Sequence, residues 1–152
     1  MATVKRNLKM PVYEARSVDA LIPNARNART HTAKQVAQIA ASIREFGFTN
    51  PILVDGKNGV IAGHGRLLAA RQLGMPHVPV LELRHLDERQ RRAYVLADNA
   101  IGLQSGWDKE LLALELGELK GLGFDLDLTG LDLAGIDIPD PAAGAGDLTA
   151  KD

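Results

Sequence analysis

The 152-residue chain contains no cysteine, which removes disulfides, thiolate metal ligands and cysteine nucleophiles together. Aromatic residues are scarce, with one Trp, two Tyr and three Phe. No second aromatic follows Trp107 at a spacing suited to base stacking, so Trp107 reads as a core residue anchoring a helix. No stretch approaches the ~20 apolar residues of a membrane span. The start, "MATVKRNLKMPVYEARSVDA", has basic residues but lacks the apolar segment of a signal peptide. These absences lead to the expectation of a cytoplasmic protein with no membrane partner. His31, His64, His77 and His85 are scattered without the paired spacing of a catalytic zinc site, and there is no nucleophile elbow.

What is present suffices for one packed domain with a tail, since 45% of the residues are hydrophobic. The net charge of −1 conceals an asymmetry. Residues 1–92 hold 15 Lys/Arg against 7 Asp/Glu, a net of +8, and residues 93–152 hold 3 against 12, a net of −9. A basic part of this kind suits either a polyanion or an acidic part of the same protein.

Residues 1–16 read as an N-terminal arm and 17–23 as a short extended piece ending at Pro23, followed by the polar loop "NARNARTHT". From Thr32 the residues Val36, Ile39, Ala40, Ile43 and Phe46 fall at helical spacing, Thr32 with Gln35 forms a capping box, and Gly47 ends the helix. Two short strands, 52–54 and 60–62, flank a turn rich in Gly, Asn and Asp. A helix over "RLLAARQLG" and a third strand over 78–83 follow, and Pro79 places that strand at an edge or delays its pairing until after the proline. Asp87 caps a long helix reaching about residue 102, and Asp108 caps another. In that last helix Leu111, Leu112, Leu114, Leu116 and Leu119 are too many for one narrow stripe, so it packs on two sides or against a partner. Residues 139–152 have the Pro/Ala/Gly-rich composition of a disordered tail.

One short stretch stands out chemically. In "VIAGHGRLLAARQLG" a strand runs through Gly63, His64, Gly65 and Arg66 directly into a helix. Free backbone N–H groups and the helix dipole make such a turn an anion site, glycine permits close approach, and arginine supplies a planar donor fork. Alone, "GHGR" is shorter than either the Walker A pattern or the dinucleotide fingerprint, and a plain structural turn remains the alternative.

The ordered segments "IPNARNARTH", "QIAASIREFGFTNPILV", "GVIAGHGRLLAARQLGMPHVPVLEL" and "RAYVLADNAIGLQSGWD" together resemble the ParB/sulfiredoxin-like superfamily. Within it they are most similar to the ParB-like N-terminal ("ParB-like nuclease") domain of the subgroup associated with phage and bacterial DNA methyltransferases. The resemblance implies an α/β (α+β) fold, a small mixed sheet with flanking helices, over 17–107 and a C-terminal helical extension over 108–138. It implies a bound nucleoside triphosphate, CTP or ATP, with Mg²⁺, the phosphates lying at Gly63, His64, Gly65 and Arg66. Thr49 and Asn50 stand where the family's base- and ribose-proximal segment lies, and Arg29 closes the first motif. Asp98 and Asn99 correspond to a Glu-Asn pair that supports the metal and triphosphate, a hard carboxylate beside a neutral amide oxygen. The family's turn usually reads Gly-Glu-Arg-Arg or Gly-His-x-Arg; Gly63 and Arg66 match both, while His64 replaces the partition-type glutamate and Gly65 its first arginine. His64 also occupies the position of the sulfiredoxin cysteine, so sulfinic acid reduction by that chemistry is excluded.

The function implied is a DNA-associated nucleotide switch or accessory to DNA modification or partition, with slow triphosphate hydrolysis as its candidate activity. Metal-dependent DNA cleavage and a non-catalytic recruitment module are the alternatives. Arg84, Arg89, Arg91 and Arg92 form a candidate contact to DNA phosphates, although Glu88 at helical spacing offers Arg91 or Arg92 a partner instead. A DNA methyltransferase or other protein and a second copy of the chain are the candidate protein partners. No helix-turn-helix is legible after the nucleotide domain, which argues against sequence-specific DNA reading by this chain alone.

Overall fold

A computed structural model describes residues 11–25, 30–104 and 106–139. In chain order they form β1 (Val12–Ser17), a 3-10 turn (Val18–Ala20), α1 (Ala33–Phe46), β2 (Ile52–Val54), β3 (Val60–Ala62), α2 (His64–Gln72), β4 (His77–Glu82), α3 (Glu88–Gln104) and α4 (Lys109–Gly121). Two further 3-10 turns, Leu126–Thr129 and Leu133–Gly135, follow. The chain divides into two compact units, Met1–Ala100 and Ile101–Asp152.

In the first unit the four strands make one mixed sheet in the order β1-β4-β2-β3. β1 and β4 are antiparallel, β4 and β2 parallel, and β2 and β3 antiparallel. The fold class expected from the resemblance is the one observed. The first strand, however, covers residues assigned above to an N-terminal arm. "VYEARS" carries Glu14 and Arg16 and so lacks an apolar signature, yet it pairs along its whole length with β4, from Val12↔Glu82 to Ser17↔His77. Pro79 lies in an interior strand rather than at an edge. Its pairing with β2 starts one residue later, at Val80↔Ile52, while β1 pairs across it at Ala15.

The capping signals for α1 are met in full. Thr32 Oγ1 accepts from the Gln35 amide at 3.1 Å and Gln35 Oε1 from the Thr32 amide at 3.2 Å. The helix ends at Gly47, whose φ of +85° suits glycine. Phe46 is half exposed, and Phe48 packs against the core in its place. That core comprises Val18, Leu21, Ile52, Val54, Val60, Leu67, Ala70, Val78 and Val80.

The buried face of β4 runs Val78, Val80, Glu82, so an apolar row ends in a carboxylate only 4% exposed. A buried carboxylate needs cations and donors. Arg84 provides a fork, Nε to Oε1 at 2.9 Å and Nη2 to Oε2 at 3.0 Å, and Arg16 reaches Oε2 from β1 at 3.2 Å. The hydrogen bond from Arg84, with the positive field of both guanidiniums, holds Glu82 below the usual carboxylate range against its burial. Arg16 also pairs with Glu14 and donates to Asn58 Oδ1 at 2.6 Å. This network ties β1, β4 and the β2–β3 turn together.

In the second unit Asp108 caps α4, its Oδ1 accepting from the Glu110 and Leu111 amides at 3.1 Å each. Leu116 and Leu126 are its buried apolar side chains. Trp107, expected in a core, is 68% exposed.

Candidate functional site

The strand-to-helix turn after β3 is built by Gly63, the N-cap of α2, at φ +99° and ψ 25°. This left-handed conformation favours glycine, and among the described residues no side chain caps the helix. The first-turn N–H groups therefore have no intrahelical acceptor and face outward at the positive end of the helix dipole. A Cβ on Gly63 would stand 2.9 Å from Arg66 Nη2 and 3.2 Å from its Cζ. The Arg66 guanidinium thus folds back over the turn, where Nη2 donates to the Pro51 carbonyl at 2.8 Å.

A cavity of about 300 Å³ opens at this turn. Asn50, Gly63, His64, Arg66, Asp98 and Asn99 all line it, together with Tyr94 and the apolar Leu53, Ile61, Leu81 and Val95. The structure thereby gathers most of the residues picked from sequence. Thr49 is exposed and outside the lining, Asn50 being the member of that pair that reaches it. Arg29 lies outside the described residues. Gly65 is buried and faces α1 instead. A Cβ there would meet His31 Cε1 and Ile39 Cδ1 at 2.9 Å each, so its small size serves helix packing. Gly65→Ala is expected to push α1 from α2 and cost about 1–3 kcal/mol, measurable by urea unfolding; an unchanged midpoint would refute the packing role.

His64 is half-buried, and its Nε2 accepts from the Asn24 amide at 3.2 Å, which places the ring proton on Nδ1. Burial, and secondarily the field of His31, push its pKa below the ordinary 6.5. In the unfolded chain the group binds its proton more readily, so its contribution to stability is intact above about 6.5 and declines as pH falls below that value. Between about pH 7 and pH 5 the wild type should lose more thermal stability than His64→Gln. Parallel losses in the two proteins would contradict this.

Asp98 and Asn99 project from α3. Tyr94, one turn earlier, donates weakly to Asp98 Oδ1 at 3.4 Å, and burial, then the Asp98 charge, raises the Tyr94 pKa. Asn99 Nδ2 donates to the Val95 carbonyl at 2.8 Å, and its amide oxygen is of the neutral, hard type that a cation or hydroxyl accepts. Sequence reasoning missed Tyr94, although its i−4 spacing from Asp98 was a usable signal. A larger neighbouring cavity of about 540 Å³ shares Ile61 and Val95 and is bordered by Asn24, Asp55, Arg91 and Arg92.

The arginine cluster is divided. Arg84 is committed to Glu82, and Arg91 Nη1 to Asp55 Oδ2 at 2.9 Å. Glu88 takes neither Arg91 nor Arg92, because the β2–β3 turn presents Asp55 to Arg91. Arg89 and Arg92, one helical turn apart on α3, are exposed and have no ion pair among the described residues.

The ParB N-terminal domain model matches residues 5–100. A second family model, the ParB-methyltransferase HTH domain, matches residues 110–141. This corrects the expectation that no helix-turn-helix segment follows. After α4 the described chain forms only 3-10 turns, because glycines and aspartates interrupt any second amphipathic pattern. An Escherichia coli (strain K12) "ParB-like nuclease domain-containing protein YnaK" is 51% identical over 77 residues, covering 51% of this chain and 88% of that protein. A "Probable chromosome 2-partitioning protein ParB" of Deinococcus radiodurans is 36% identical over 74 residues, 47% of this chain and 25% of its own length. Among solved structures, a C-terminally truncated Caulobacter crescentus ParB complexed with CTP-γ-S superposes with a TM-score of 0.62 at 24% identity, covering 71% of this chain and 62% of that one. The chain thus spans a quarter of the Deinococcus protein and under two thirds of the Caulobacter chain.

Proposed function

The chain belongs to the ParB N-terminal domain family, and we propose that it binds a nucleoside triphosphate with its phosphates at the Gly63–Arg66 turn and so acts as a DNA-associated nucleotide switch. The observation that carries this reading is the convergence of an uncapped helix N-terminus, Arg66, His64, Asn50, Asp98 and Asn99 on one cavity. Backbone N–H groups and Arg66 suit phosphate oxygens, and Asn50 and the apolar wall suit a ribose and base. The CTP analogue bound by the Caulobacter protein supports the ligand class.

Magnesium fits the donor set. It prefers one or two carboxylates with substrate phosphates and water to an all-protein cage, and among the described residues Asp98 is the single carboxylate in the lining, with Asn99 beside it. Bound there, it would neutralise phosphate charge. One carboxylate suits this task better than two-metal DNA cleavage, which needs several. Arg89 and Arg92 offer exposed cations for DNA phosphates, a contact that carries no sequence information.

A thermal-shift panel of CTP, ATP, ADP and GTP, with and without Mg²⁺, tests the reading. At 100 times its Kd a nucleotide should stabilise the fold by about 2.7 kcal/mol, and at least one triphosphate should do so more strongly with Mg²⁺. A flat panel would remove the switch and leave recruitment as the function.

A further inference from the structure

Helix α4 has two unlike faces. Inward, Leu116 is 1% exposed, and Gly117 lies so close to Pro139 that a Cβ would stand 3.1 Å from its Cδ. Outward, Leu111, Leu114 and Leu122 are 65%, 53% and 71% exposed. At about 100° per residue Leu111, Leu114 and Leu122, the last at the C-cap, fall within an arc of about 80°; Glu118 stands inside that arc and Glu115 about 20° beyond it, both exposed. Among the described residues no ion pair reaches either glutamate. Three clustered, solvent-facing leucines are the kind of patch that marks an interaction surface.

Charge decides what covers it. Residues 110–141, the segment matched by the helix-turn-helix model, hold eight Asp/Glu and one Lys, a net of −7. DNA-reading domains are basic, because their affinity comes from neutralising phosphates. This segment would repel DNA and an anionic membrane surface alike. A second copy presenting the same face would meet like charge across a two-fold axis.

We infer that the outer face of α4 docks a basic amphipathic helix of a partner protein, its leucines seating between Leu111, Leu114 and Leu122 and its cations pairing with Glu115 and Glu118, and that residues 110–141 do not contact DNA phosphates. Apolar anchors supply the affinity and the acidic rim supplies selection and rapid encounter. The inference is independent of the nucleotide reading, which concerns the other unit.

The test uses the intact chain and a fluorescent synthetic helix of leucine and lysine, with leucines at i, i+3, i+4 and i+7, followed by anisotropy. The wild type should bind it with an affinity that falls as salt rises, and should not bind the corresponding leucine and glutamate helix. Leu111→Ser/Leu122→Ser should weaken binding at least about tenfold while leaving affinity for duplex DNA unchanged. Glu115→Gln/Glu118→Gln, which alters no apolar contact, should weaken binding and flatten its salt dependence. Binding of the lysine helix by both variants as tight as that of the wild type would overturn the proposal. So would DNA affinity that falls in the leucine variant, or a wild-type dimer in light scattering that the leucine variant converts to monomer.

Discussion

Arg66→Ala is expected to abolish nucleotide-induced stabilisation while leaving the domain folded. Among the described residues Arg66 is the one permanent cation in the lining of the cavity, and its guanidinium lies against Gly63 at the mouth of the α2 N-terminus. Charge-assisted hydrogen bonds contribute about 1.5–3 kcal/mol each, so losing a two-pronged contact to phosphate weakens binding by roughly a hundredfold or more. The bond to the Pro51 carbonyl at 2.8 Å is lost as well, at about 1 kcal/mol, which shows as a modest fall in Tm without nucleotide. The two effects separate when melting curves are compared with and without ligand. Arg66→Lys keeps the charge but not the fork and should recover only part of the response. A full nucleotide response in Arg66→Ala would place the phosphates elsewhere.

Ile52→Ala carries the largest expected loss of stability. Ile52 is 0% exposed, pairs with Val80 across the parallel seam of the sheet and packs in the cluster containing Val18, Val54, Leu67 and Val78. Truncating a buried isoleucine costs about 2–5 kcal/mol, a large share of the ~5–15 kcal/mol that holds a domain together. A fall in Tm of about 10 °C or more is expected. Because Ile52 follows Asn50 and Pro51 directly, the same change should loosen that wall of the cavity and reduce nucleotide affinity. A loss below about 1 kcal/mol would mean that the neighbours collapse onto the vacated space.

Local signals were legible where local chemistry determines the outcome. The caps at Thr32 and Asp108 and the Gly63–Arg66 turn follow from short spacings and glycine geometry. What escaped depends on residues distant in the chain. β1 is a strand although it carries Glu14 and Arg16, because Glu82, 66 residues away from Arg16, and Asn58 neutralise and bond that arginine. Gly65 reads from sequence as part of a phosphate loop, but His31, just before α1, and Ile39 on that helix fill the space above it. The arginine cluster looked uniform in sequence, and only the position of Asp55 and Glu82 separates the committed Arg84 and Arg91 from the exposed Arg89 and Arg92. The excess of leucines in α4 pointed to a second packed face. The structure leaves Leu111, Leu114 and Leu122 exposed, and the acidic composition of residues 110–141 narrows what the proposed partner can be.

The proposed seating of phosphates at the start of α2 is tested by amide hydrogen exchange with and without Mg²⁺ and the triphosphate of highest response. Slower exchange is expected at His64, Gly65 and Arg66, whose amides open the helix after Gly63, accompanied by slower exchange near Asp98 and Asn99. Binding that leaves those amides unchanged and protects another region would contradict it.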